Sequence, residues 1–507
     1  MIAAGHAGRM DRGSALICGT GVPVGGRSSV ARSVAAIGEA SPIRCRCRRM
    51  SSSPVLPLSP SAELSAMFRS RSRVAPVLVS LCLLQACSGS DPLTAPVAVS
   101  EGWRTAWNAS PSDGFTVPVA LLAQTVRMPI APHAAGRELR LRLGNRLGLL
   151  PAEFTAVYIG REQMPGVAAL VPGSNRRLTF GGATSVRLAP GESALSDPIA
   201  FDVEPFERLM VSLDVPLTTI NVSEHFSARE RVHAALIGNA AEVSGAGFLP
   251  LNLPLLTNWL AIEAVEVRGD RPPKPALVTF GDSITDGFEA MLGVPLIEDI
   301  GSTGSDRRYP DWLQRRLLAT PGAPDYAVVN AGISGNRVLR DGLLPQFGPS
   351  ALSRLDHDVL AVPGLRAVII LEGTNDIGFP PEPAAVELQA GLATLVQRIK
   401  AHDPAIRVLI GTLTPARGTL AGPLGTPQTG LGLQHGTARA AALRAAVNGW
   451  MRSGGSGADG VIDFERCLAD PGNPEYLLPA FDSSDHLHPN GEGYRAMADC
   501  IDLEALR

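Results

Sequence analysis

From residue 276 onward, short apolar strands alternate with amphipathic helices, and this alternation limits the fold more than any other feature of the chain. Runs such as 276–280 and 365–371 are almost entirely apolar, whereas residues 387–400 repeat apolar side chains at helical spacing. Strands of this kind are typical of parallel sheets that helices cover on both faces. The sequence therefore predicts an α/β domain over 276–507 with a three-layer, doubly wound parallel sheet. Further strands are predicted at 326–330, 406–410 and 460–463, and further helices at 311–318 and 438–451.

Polar residues and glycines follow each of the three strongest predicted strands. The first strand runs into Gly-Asp-Ser-Ile-Thr-Asp-Gly at 281–287, and the second into Asn-Ala-Gly-Ile-Ser-Gly-Asn at 330–336. The third runs into Glu-Gly-Thr-Asn-Asp at 372–376. Because the carboxyl ends of parallel strands meet at one edge of the sheet, where ligands bind in such folds, we expect these three clusters to lie side by side.

A fourth polar stretch, Asp-His-Leu-His at 485–488, contains the residue types that acyl transfer to a serine requires. That reaction needs a nucleophile, a base, a group that orients the base, and donors for the oxyanion. Ser283 fits the nucleophile, His488 the base, and Asp485, three positions before it, the orienting carboxylate. Gly335 can lend a backbone N–H to the oxyanion, and Asn375 can lend its side-chain amide.

Each of these candidates also has a plainer structural explanation. Ser283 can be a helix N-cap, Asn375 a turn residue after a strand, and Gly335 a residue that permits a left-handed turn. Gly332 is the alternative backbone donor. The Asp-His-Leu-His stretch also suggests a metal site, but metal sites usually need three or four protein ligands, and no His-Glu-x-x-His occurs. We therefore expect no metal and no cofactor.

Other residues of the same clusters have weaker assignments. Asp282 and Asp376 are expected to order the neighbouring loops, and Asn336 and Arg337 to line the pocket.

Taken together, four blocks of the region resemble the conserved blocks of the SGNH, or GDSL-type, hydrolase superfamily and occur in the same order: Gly281-Asp282-Ser283, Gly335, Gly373-Thr374-Asn375-Asp376 and Asp485-x-x-His488. The resemblance covers about 276–500 and implies a flavodoxin-like α/β fold. It implies that Ser283 is the nucleophile and that Asp485 and His488 complete a triad. It also implies an oxyanion hole formed by the N–H groups of Ser283 and Gly335 and by the Asn375 side chain.

The family places its base three residues after the aspartate, which favours His488 over His486. The stretch Asn-Ala-Gly-Ile-Ser-Gly-Asn-Arg-Val-Leu at 330–339, with a β-rich region before it, is similar to a bacterial arylesterase/acylhydrolase branch grouped with xylanase-associated esterases. That similarity implies a serine ester hydrolase acting on O-acetyl or other short-chain carboxylic esters, with acetylated plant polysaccharides as one substrate class. Aryl esters and lipid acyl esters are alternatives. A glycan-binding surface protein without turnover is the alternative of a different class.

Residues 99–265 follow a different pattern, in which apolar and polar residues alternate. Arg-Glu-Leu-Arg-Leu-Arg-Leu at 137–143 places leucines on one face and charges on the other. Short strands at regular spacing predict a β-sandwich accessory domain, which the Pro-rich stretch 271–275 joins to the α/β domain. The further strands of this region are predicted at 154–159, 177–180, 198–203 and 208–213.

The residues before 99 predict export rather than folded structure. Residues 1–66 are expected to be a disordered or mis-annotated leader, because Met67 opens a secretory signal with arginines followed by a short apolar run at 74–84. The signal at 67–87 resembles that of a bacterial lipoprotein with Cys87 as the lipidated residue, and 88–98 is a linker. We expect translation to begin at Met67 and the protein to be a cell-envelope lipoprotein attached to the membrane through Cys87, or a secreted protein.

Composition excludes some partners. The formal net charge is -3 and 18% of the residues are charged, so no basic excess indicates nucleic acid. No apolar run reaches the roughly 18–20 residues that cross a bilayer. In an oxidising compartment Cys467 and Cys500 can form a disulfide, and two separate buried thiols are the alternative. The sequence leaves the oligomeric state open.

Overall fold

The fold is taken from a computed structural model, which describes residues 102–114, 124–216, 219, 221–235, 238–245, 250–251, 257–269, 274–291, 294–419 and 433–507. The described residues belong to one compact unit. The predicted leader at 1–66, the signal at 67–87 with Cys87, and the linker at 88–98 lie outside them, as do residues 271–273 of the Pro-rich stretch. Those assignments, the predicted domain bounds and the predicted export stay predictions.

The described residues between 102 and 269, here called the strand-rich part, contain fifteen strands. They are β1 (Arg104–Asn108), β2 (Gln124–Ile130), β3 (Gly136–Gly144), β4 (Ala152–Phe154), β5 (Ala156–Arg161), β6 (Arg176–Leu178), β7 (Val186–Leu188), β8 (Ser193–Leu195), β9 (Ile199–Val203), β10 (Leu209–Val215), β11 (Glu224–His225), β12 (His233–Ala235), β13 (Pro250–Leu251), β14 (Trp259–Leu260) and β15 (Ile262–Arg268). One sheet has the order β1-β15-β3-β8 with β9 also paired to β3, and a second has the order β13-β12-β2-β10-β5-β6. The prediction that this region is rich in strands is confirmed.

The alternation in β3 explains how this part acquires a core. Leu139, Leu141 and Leu143 are fully buried, whereas Arg140 and Arg142 point to the other face and pair there with a buried glutamate of β15, Glu266. The leucines join apolar side chains of β2, β5 and β10 from the second sheet in one hydrophobic cluster. Burial of apolar surface between the two sheets is therefore what holds the strand-rich part together.

The described residues from 274 to 507, here called the α/β part, contain nine strands and eight α-helices. The strands are β16 (Ala276–Gly281), β17 (Ala290–Met291), β18 (Val294–Glu298), β19 (Ala327–Gly332), β20 (Leu365–Leu371), β21 (Arg407–Gly411), β22 (Gly460–Ile462), β23 (Ala469–Asp470) and β24 (Asn473–Leu477). The helices are α1 (Ser283–Asp286), α2 (Tyr309–Ala319), α3 (Ala351–Leu355), α4 (Thr374–Gly378), α5 (Ala385–His402), α6 (Ala438–Arg452), α7 (Phe464–Leu468) and α8 (Gly491–Cys500). All eight sequence-predicted elements of this part are present, with ends that differ by at most a few residues.

Five strands form a parallel sheet in the order β19-β16-β20-β21-β22. The chain leaves β16 toward β19 on one side and later continues through β20 on the other, so the strand order reverses at β16. Sheets of this kind bind ligands in the crevice beyond the carboxyl ends of the strands at such a reversal. Ser283 follows β16 by two residues and therefore lies at that point.

Side chains of successive strand residues enter two different cores, one on each face of the sheet. Val278, Val368 and Ile370 pack on the face covered by α3, α5 and α6. Leu277 and Ile369 pack on the opposite face, which α2, α7 and α8 cover. Helix α5 buries Leu388, Leu392, Leu395 and Ile399 at the spacing of one helical face. The three-layer α/β arrangement predicted from the sequence is confirmed.

Cys467 and Cys500 form a disulfide, with their Cα atoms 6.4 Å apart and a sequence separation of 33. The bond joins α7 to the last residue of α8. It therefore fixes the final helix, which directly follows the His488 segment, to the rest of the α/β part.

Candidate active site

Ser283 is the first residue of α1, directly after the sharp turn that ends β16. Asp282 caps the short helix, since its Oδ1 accepts a hydrogen bond from the Ile284 N–H at 3.0 Å. Gly281 permits the close approach of β16 to β20, because a Cβ at that position would lie 2.5 Å from the Leu371 carbonyl oxygen. The strand and its turn thereby present the Ser283 side chain at the carboxyl edge of the sheet.

A chain of hydrogen bonds connects Ser283 to two residues of the last polar stretch. Ser283 Oγ lies 2.9 Å from Nε2 of His488, and Nδ1 of His488 lies 2.6 Å from Oδ2 of Asp485. All three residues are buried: 7% of the surface of Ser283 is exposed, and Asp485 is completely buried. With the Nδ1–H donated to the carboxylate, Nε2 is free to accept the hydroxyl proton, which is the arrangement that activates a serine.

Asp485 is held in its charged form. Its Oδ1 accepts from the backbone N–H groups of Leu487 (3.0 Å) and His488 (2.9 Å). Burial alone would raise the pKa of Asp485, but the imidazole of His488 and these hydrogen bonds lower it to about 2. The ring of Phe288 covers the imidazole at a centroid distance of 4.6 Å and shields the pair from solvent.

His486 is directed away from this arrangement. Its Nδ1 lies 2.6 Å from Oδ2 of Asp482, and 45% of its side-chain surface is exposed. Of the two histidines in Asp-His-Leu-His, the structure therefore brings only His488 to Ser283.

The candidate oxyanion donors are the N–H groups of Ser283 and Gly335 and the side-chain amide of Asn375. Among the described residues, neither the N–H of Ser283 nor that of Gly335 has a hydrogen-bond acceptor, whereas the N–H of Gly332 donates to Oδ1 of Asn330 at 2.8 Å. The Gly332 N–H is thus already engaged. Gly335 has a φ of 78°, and a Cβ there would lie 2.3 Å from the ring of Phe347, so both its conformation and its surroundings require glycine.

Asn375 lies in α4, directly beyond β20, and its amide is fixed at both ends. Its Nδ2 donates to the Asn336 carbonyl oxygen at 2.9 Å, and its Oδ1 lies 3.2 Å from Nε2 of His435. Burial and the nearby His488 lower the pKa of His435 to about 3, so the imidazole is neutral and donates its Nε2–H to Asn375. The second Nδ2–H has no acceptor among the described residues.

His435 was not found by sequence reasoning. It lies 60 residues after Asn375 and belongs to no recognisable motif. Gly378 makes room for it, because a Cβ at Gly378 would lie 1.9 Å from the His435 Nε2. A lone histidine carries no spacing signal that could have revealed this contact.

A fully buried arginine of α3, Arg354, ties together the carboxyl ends of three strands. It donates to the carbonyl oxygens of Gly281 (2.9 Å) and Ala331 (2.8 Å) and pairs with Oε1 of Glu372 at 3.0 Å. It also donates to Oδ1 of Asn336 at 2.9 Å. The edge of the sheet that carries the candidate residues is therefore a rigid frame.

Asn336 belongs to this frame and does not line a pocket as the sequence suggested. It is completely buried, its Nδ2 donates to the Phe347 carbonyl oxygen at 2.9 Å, and its own carbonyl oxygen accepts from Asn375. The guanidinium of Arg337 is turned toward the carbonyl oxygen of Asp341.

Two buried carboxyl groups order the loops beside the frame. Asp376 accepts from the N–H groups of Val338 (2.7 Å) and Leu339 (3.1 Å), and Asp282 caps α1 as described. Burial raises the pKa of Asp376 to about 6 and that of Asp282 to about 7. These groups stabilise loop geometry, as the sequence suggested for them.

A second functional contact that sequence reasoning missed comes from the strand-rich part. Nε2 of His225 lies 3.2 Å from Oδ1 of Asp286, the last residue of α1, and the other oxygen of Asp286 accepts from Ser334. The strand-rich part therefore reaches the loop that carries Gly335.

Within the part of the chain that the structure describes, no cluster of three or more His, Cys, Asp or Glu side chains could hold a metal ion. No helix of the described segments is both long enough and apolar enough to cross a membrane.

Residues 279–496 match the GDSL-like lipase/acylhydrolase family model. None of the curated proteins compared with the chain matches it. Among solved structures, the inhibitor-bound aryl esterase of M. smegmatis is 20% identical, with 44% of this chain and 94% of that chain covered and a TM-score of 0.33.

Two further solved structures give similar values. A carbohydrate acetylesterase from Sinorhizobium meliloti is 19% identical, with 44% of this chain and 95% of that chain covered and a TM-score of 0.32. A lipase/acylhydrolase from Enterococcus faecalis is 22% identical, with 45% and 93% covered and a TM-score of 0.30. The family match begins in β16 and ends in α8, so it includes all four polar blocks. Residues 279–496 are therefore a GDSL-like lipase/acylhydrolase domain of the SGNH hydrolase superfamily, and the protein is a carboxylic ester hydrolase.

Proposed function

We propose that the protein hydrolyses short-chain carboxylic esters through a Ser283–His488–Asp485 triad, with O-acetyl groups of plant polysaccharides as the natural substrate class. The observation that carries the triad is the pair of contacts of His488, 2.9 Å to Ser283 Oγ and 2.6 Å to Asp485 Oδ2. This geometry supports proton transfer from the hydroxyl to the imidazole without any movement of the backbone.

In the acylation step, Ser283 Oγ attacks the ester carbonyl carbon as its proton passes to Nε2 of His488. The imidazolium that forms is stabilised by Asp485, which remains ionised because its pKa is lowered to about 2. His488 then returns the proton to the alkoxide oxygen of the leaving alcohol, and the acyl group stays bound to Ser283.

The oxyanion of the tetrahedral intermediate is stabilised by three donors: the N–H of Ser283, the N–H of Gly335 and the Nδ2 of Asn375. Donors fixed in advance cost no reorganisation when charge develops, and each is worth about 10²–10³ in kcat. The contacts of Asn375 with Asn336 and His435 support this role, because they leave the amide no freedom to rotate.

In the deacylation step, a water molecule takes the place of the alcohol. His488 accepts its proton, the hydroxide attacks the acyl-enzyme carbonyl, and collapse of the second tetrahedral intermediate releases the acid and regenerates Ser283. Every step uses side chains and backbone groups of the chain itself.

We infer from the burial of Ser283 and His488 that the site takes a small acyl group. Ser283 is 7% exposed and His488 4% exposed, and Phe288 packs on the imidazole. The export predicted from 67–87 and the strand-rich part, which we infer to be a β-sandwich, fit an extracellular polymer as substrate. We further propose that Cys87 carries a lipid and anchors the enzyme in the cell envelope.

The test compares acetate release from acetylated xylan with hydrolysis of p-nitrophenyl acetate and p-nitrophenyl palmitate. Ser283→Ala is expected to lower kcat on every substrate by at least about 10⁴-fold. Ser453→Ala, which changes an exposed serine at the end of α6, is the matched control and should keep full activity.

Each substrate separates one claim. Acetate release from xylan that depends on Ser283 supports the polysaccharide proposal. Hydrolysis of p-nitrophenyl acetate without acetate release from xylan limits the proposal to short-chain esters. Faster hydrolysis of p-nitrophenyl palmitate than of the acetate refutes the proposal that the site takes a small acyl group. Full activity of Ser283→Ala refutes the triad, whereas tight xylan binding without any turnover indicates a glycan-binding protein.

A further inference from the structure

His225, in β11 of the strand-rich part, has a polar partner on each side of its ring. Nδ1 lies 2.7 Å from the carbonyl oxygen of Ser110, and Nε2 lies 3.2 Å from Oδ1 of Asp286. The side chain is 4% exposed, and its ring packs against Trp259 at a centroid distance of 5.4 Å. Because carbonyl and carboxylate oxygens only accept, both ring nitrogens carry a proton and donate, and the Ser110 carbonyl oxygen holds the ring independently of Asp286.

Asp286 passes this contact on to the oxyanion loop. Its second oxygen, Oδ2, accepts from the backbone N–H of Ser334 at 3.1 Å and from the Ser334 hydroxyl at 2.7 Å. Gly335, whose N–H is a proposed oxyanion donor, is the next residue. Since Asp286 also ends the helix that begins with Ser283, one carboxylate joins the nucleophile segment to the oxyanion loop.

Arg308 of the α/β part holds the backbone of Asp286 and links it to the strand-rich part. Arg308 donates from Nε to the Asp286 carbonyl oxygen at 2.8 Å and from its terminal nitrogen to the carbonyl oxygen of Ala228. Gly332 lies against the same segment, since a Cβ there would lie 2.3 Å from the Asp286 N. The backbone of Asp286 is therefore fixed independently, which leaves the orientation of its carboxylate to His225 and Ser334.

We propose that His225 is a positioning residue of the active site: through Asp286 it holds the Ser334–Gly335 peptide at the angle that directs the Gly335 N–H to the oxyanion. The inference rests on the proposed function, because it assumes that Gly335 is an oxyanion donor. The strand-rich part then contributes a residue that positions the active site and is more than an accessory domain.

The physical reason lies in the burial of the Asp286 carboxylate, which is 4% exposed. Without the donor at 225, Oδ1 loses its partner in a place with little access to water, and the carboxylate turns toward other donors. Ser334, held by the same carboxylate, moves with it. A displacement of this kind lowers turnover without changing ground-state binding, because the oxyanion forms only during reaction.

Two variants of the full-length protein separate the two contacts of His225. Asn at this position places its amide nitrogen where Nδ1 was and keeps the Ser110 contact only. Gln places its amide nitrogen where Nε2 was and keeps the Asp286 contact only. On p-nitrophenyl acetate, His225→Asn is expected to lower kcat about 10–100-fold at unchanged KM, and His225→Gln to stay within about 3-fold of wild type.

Another histidine of the strand-rich part supplies the matched control. His133 lies 2.8 Å from the Val328 carbonyl oxygen and 3.2 Å from Oδ1 of Asp311, and neither partner contacts Ser334. His133→Asn removes an equally buried contact between the same two parts and should leave kcat unchanged. Rates are divided by the concentration of active sites, titrated with a fluorophosphonate, so that unfolded protein does not count.

Equal values of kcat for the Asn and Gln variants, or a change confined to KM, would overturn the inference. If His225→Asn yields no folded protein, Ser334→Ala tests the same link from the loop side, with a fall in kcat of about 3–10-fold expected and an unchanged kcat contradicting the proposal. Activity that survives Ser283→Ala refutes the proposed function itself. Loss of activity in Ser283→Ala together with equal kcat values for the two His225 variants refutes only the role of His225.

Discussion

Replacement of His435 by glutamine should make the protein less sensitive to acid. Burial and the nearby His488 lower the pKa of His435 from 6.5 to about 3 in the folded state. As the pH falls below 6.5, the unfolded chain therefore binds a proton at this residue while the folded protein does not. Stability is lost progressively between pH 6.5 and 3, and the loss levels off once the folded state also binds the proton.

The magnitude follows from the two pKa values. A pH of 4 is about 2.5 units below the pKa of the imidazole in the unfolded chain, whereas the imidazole in the folded protein is still almost fully neutral. At 1.36 kcal/mol per unit this corresponds to about 3 kcal/mol lost between pH 7.5 and pH 4. Glutamine does not titrate, and its amide nitrogen can occupy the place of Nε2 and donate to Asn375. The variant should therefore avoid this loss and keep kcat within about 5-fold at pH 7.5.

The assay is urea unfolding at pH 7.5 and at pH 4, followed by far-ultraviolet circular dichroism, for wild type and His435→Gln. The difference in unfolding free energy between the two pH values should be about 3 kcal/mol smaller in the variant. His402→Gln, at the exposed end of α5, controls for the loss of one histidine. An equal pH dependence in wild type and His435→Gln would show that the imidazole is not held neutral, and the assigned orientation of Asn375 would lose its basis.

Three further outcomes are expected. Asn375→Ala should lower kcat on p-nitrophenyl acetate about 10²–10³-fold with little change in KM, and a matching rise in KM would contradict the oxyanion role. Asp485→Asn should lower kcat about 10⁴-fold, because the imidazole of His488 loses the partner that fixes its tautomer. Circular dichroism should show that the variant is folded, and a loss of kcat below about 10-fold would argue against the triad. Replacing Cys467 and Cys500 together by serine opens a loop with a sequence separation of 33. The unfolding free energy should fall by about 3–4 kcal/mol, which is measured as a lower urea midpoint. An unchanged midpoint would mean that the disulfide does not constrain the unfolded chain.

The fold of the α/β part could be predicted from the sequence because the patterns that indicate its strands and polar clusters are local. Buried parallel strands appear as apolar runs, and the polar residues that follow them must meet at one edge of the sheet. The spacing of Asp485 and His488 was likewise local, since both partners lie in one short turn. The structure accordingly brings His488 to Ser283, and Asn375 to the backbone of Asn336, from segments far apart in the chain.

The missed residues have no local signal. His225 and His435 act through single contacts with Asp286 and Asn375, and those contacts exist only after distant segments have packed. The family resemblance favoured Gly335 over Gly332 as the backbone donor, but no local pattern decides between them, because the choice depends on which backbone N–H group another side chain already occupies. Buried polar contacts of this kind are decided by tertiary packing, for which one sequence offers no periodicity.

The hydrogen bond between Ser283 and His488 joins residues 205 positions apart. Contacts across such a distance form late during folding, because closure of a long loop is entropically unfavourable until the intervening strands have paired. The return of ester hydrolysis after dilution from denaturant therefore reports completion of the whole parallel sheet, whereas helical signals recover earlier. Turnover would serve as a kinetic probe of the last step of assembly, at protein concentrations too low for spectroscopy.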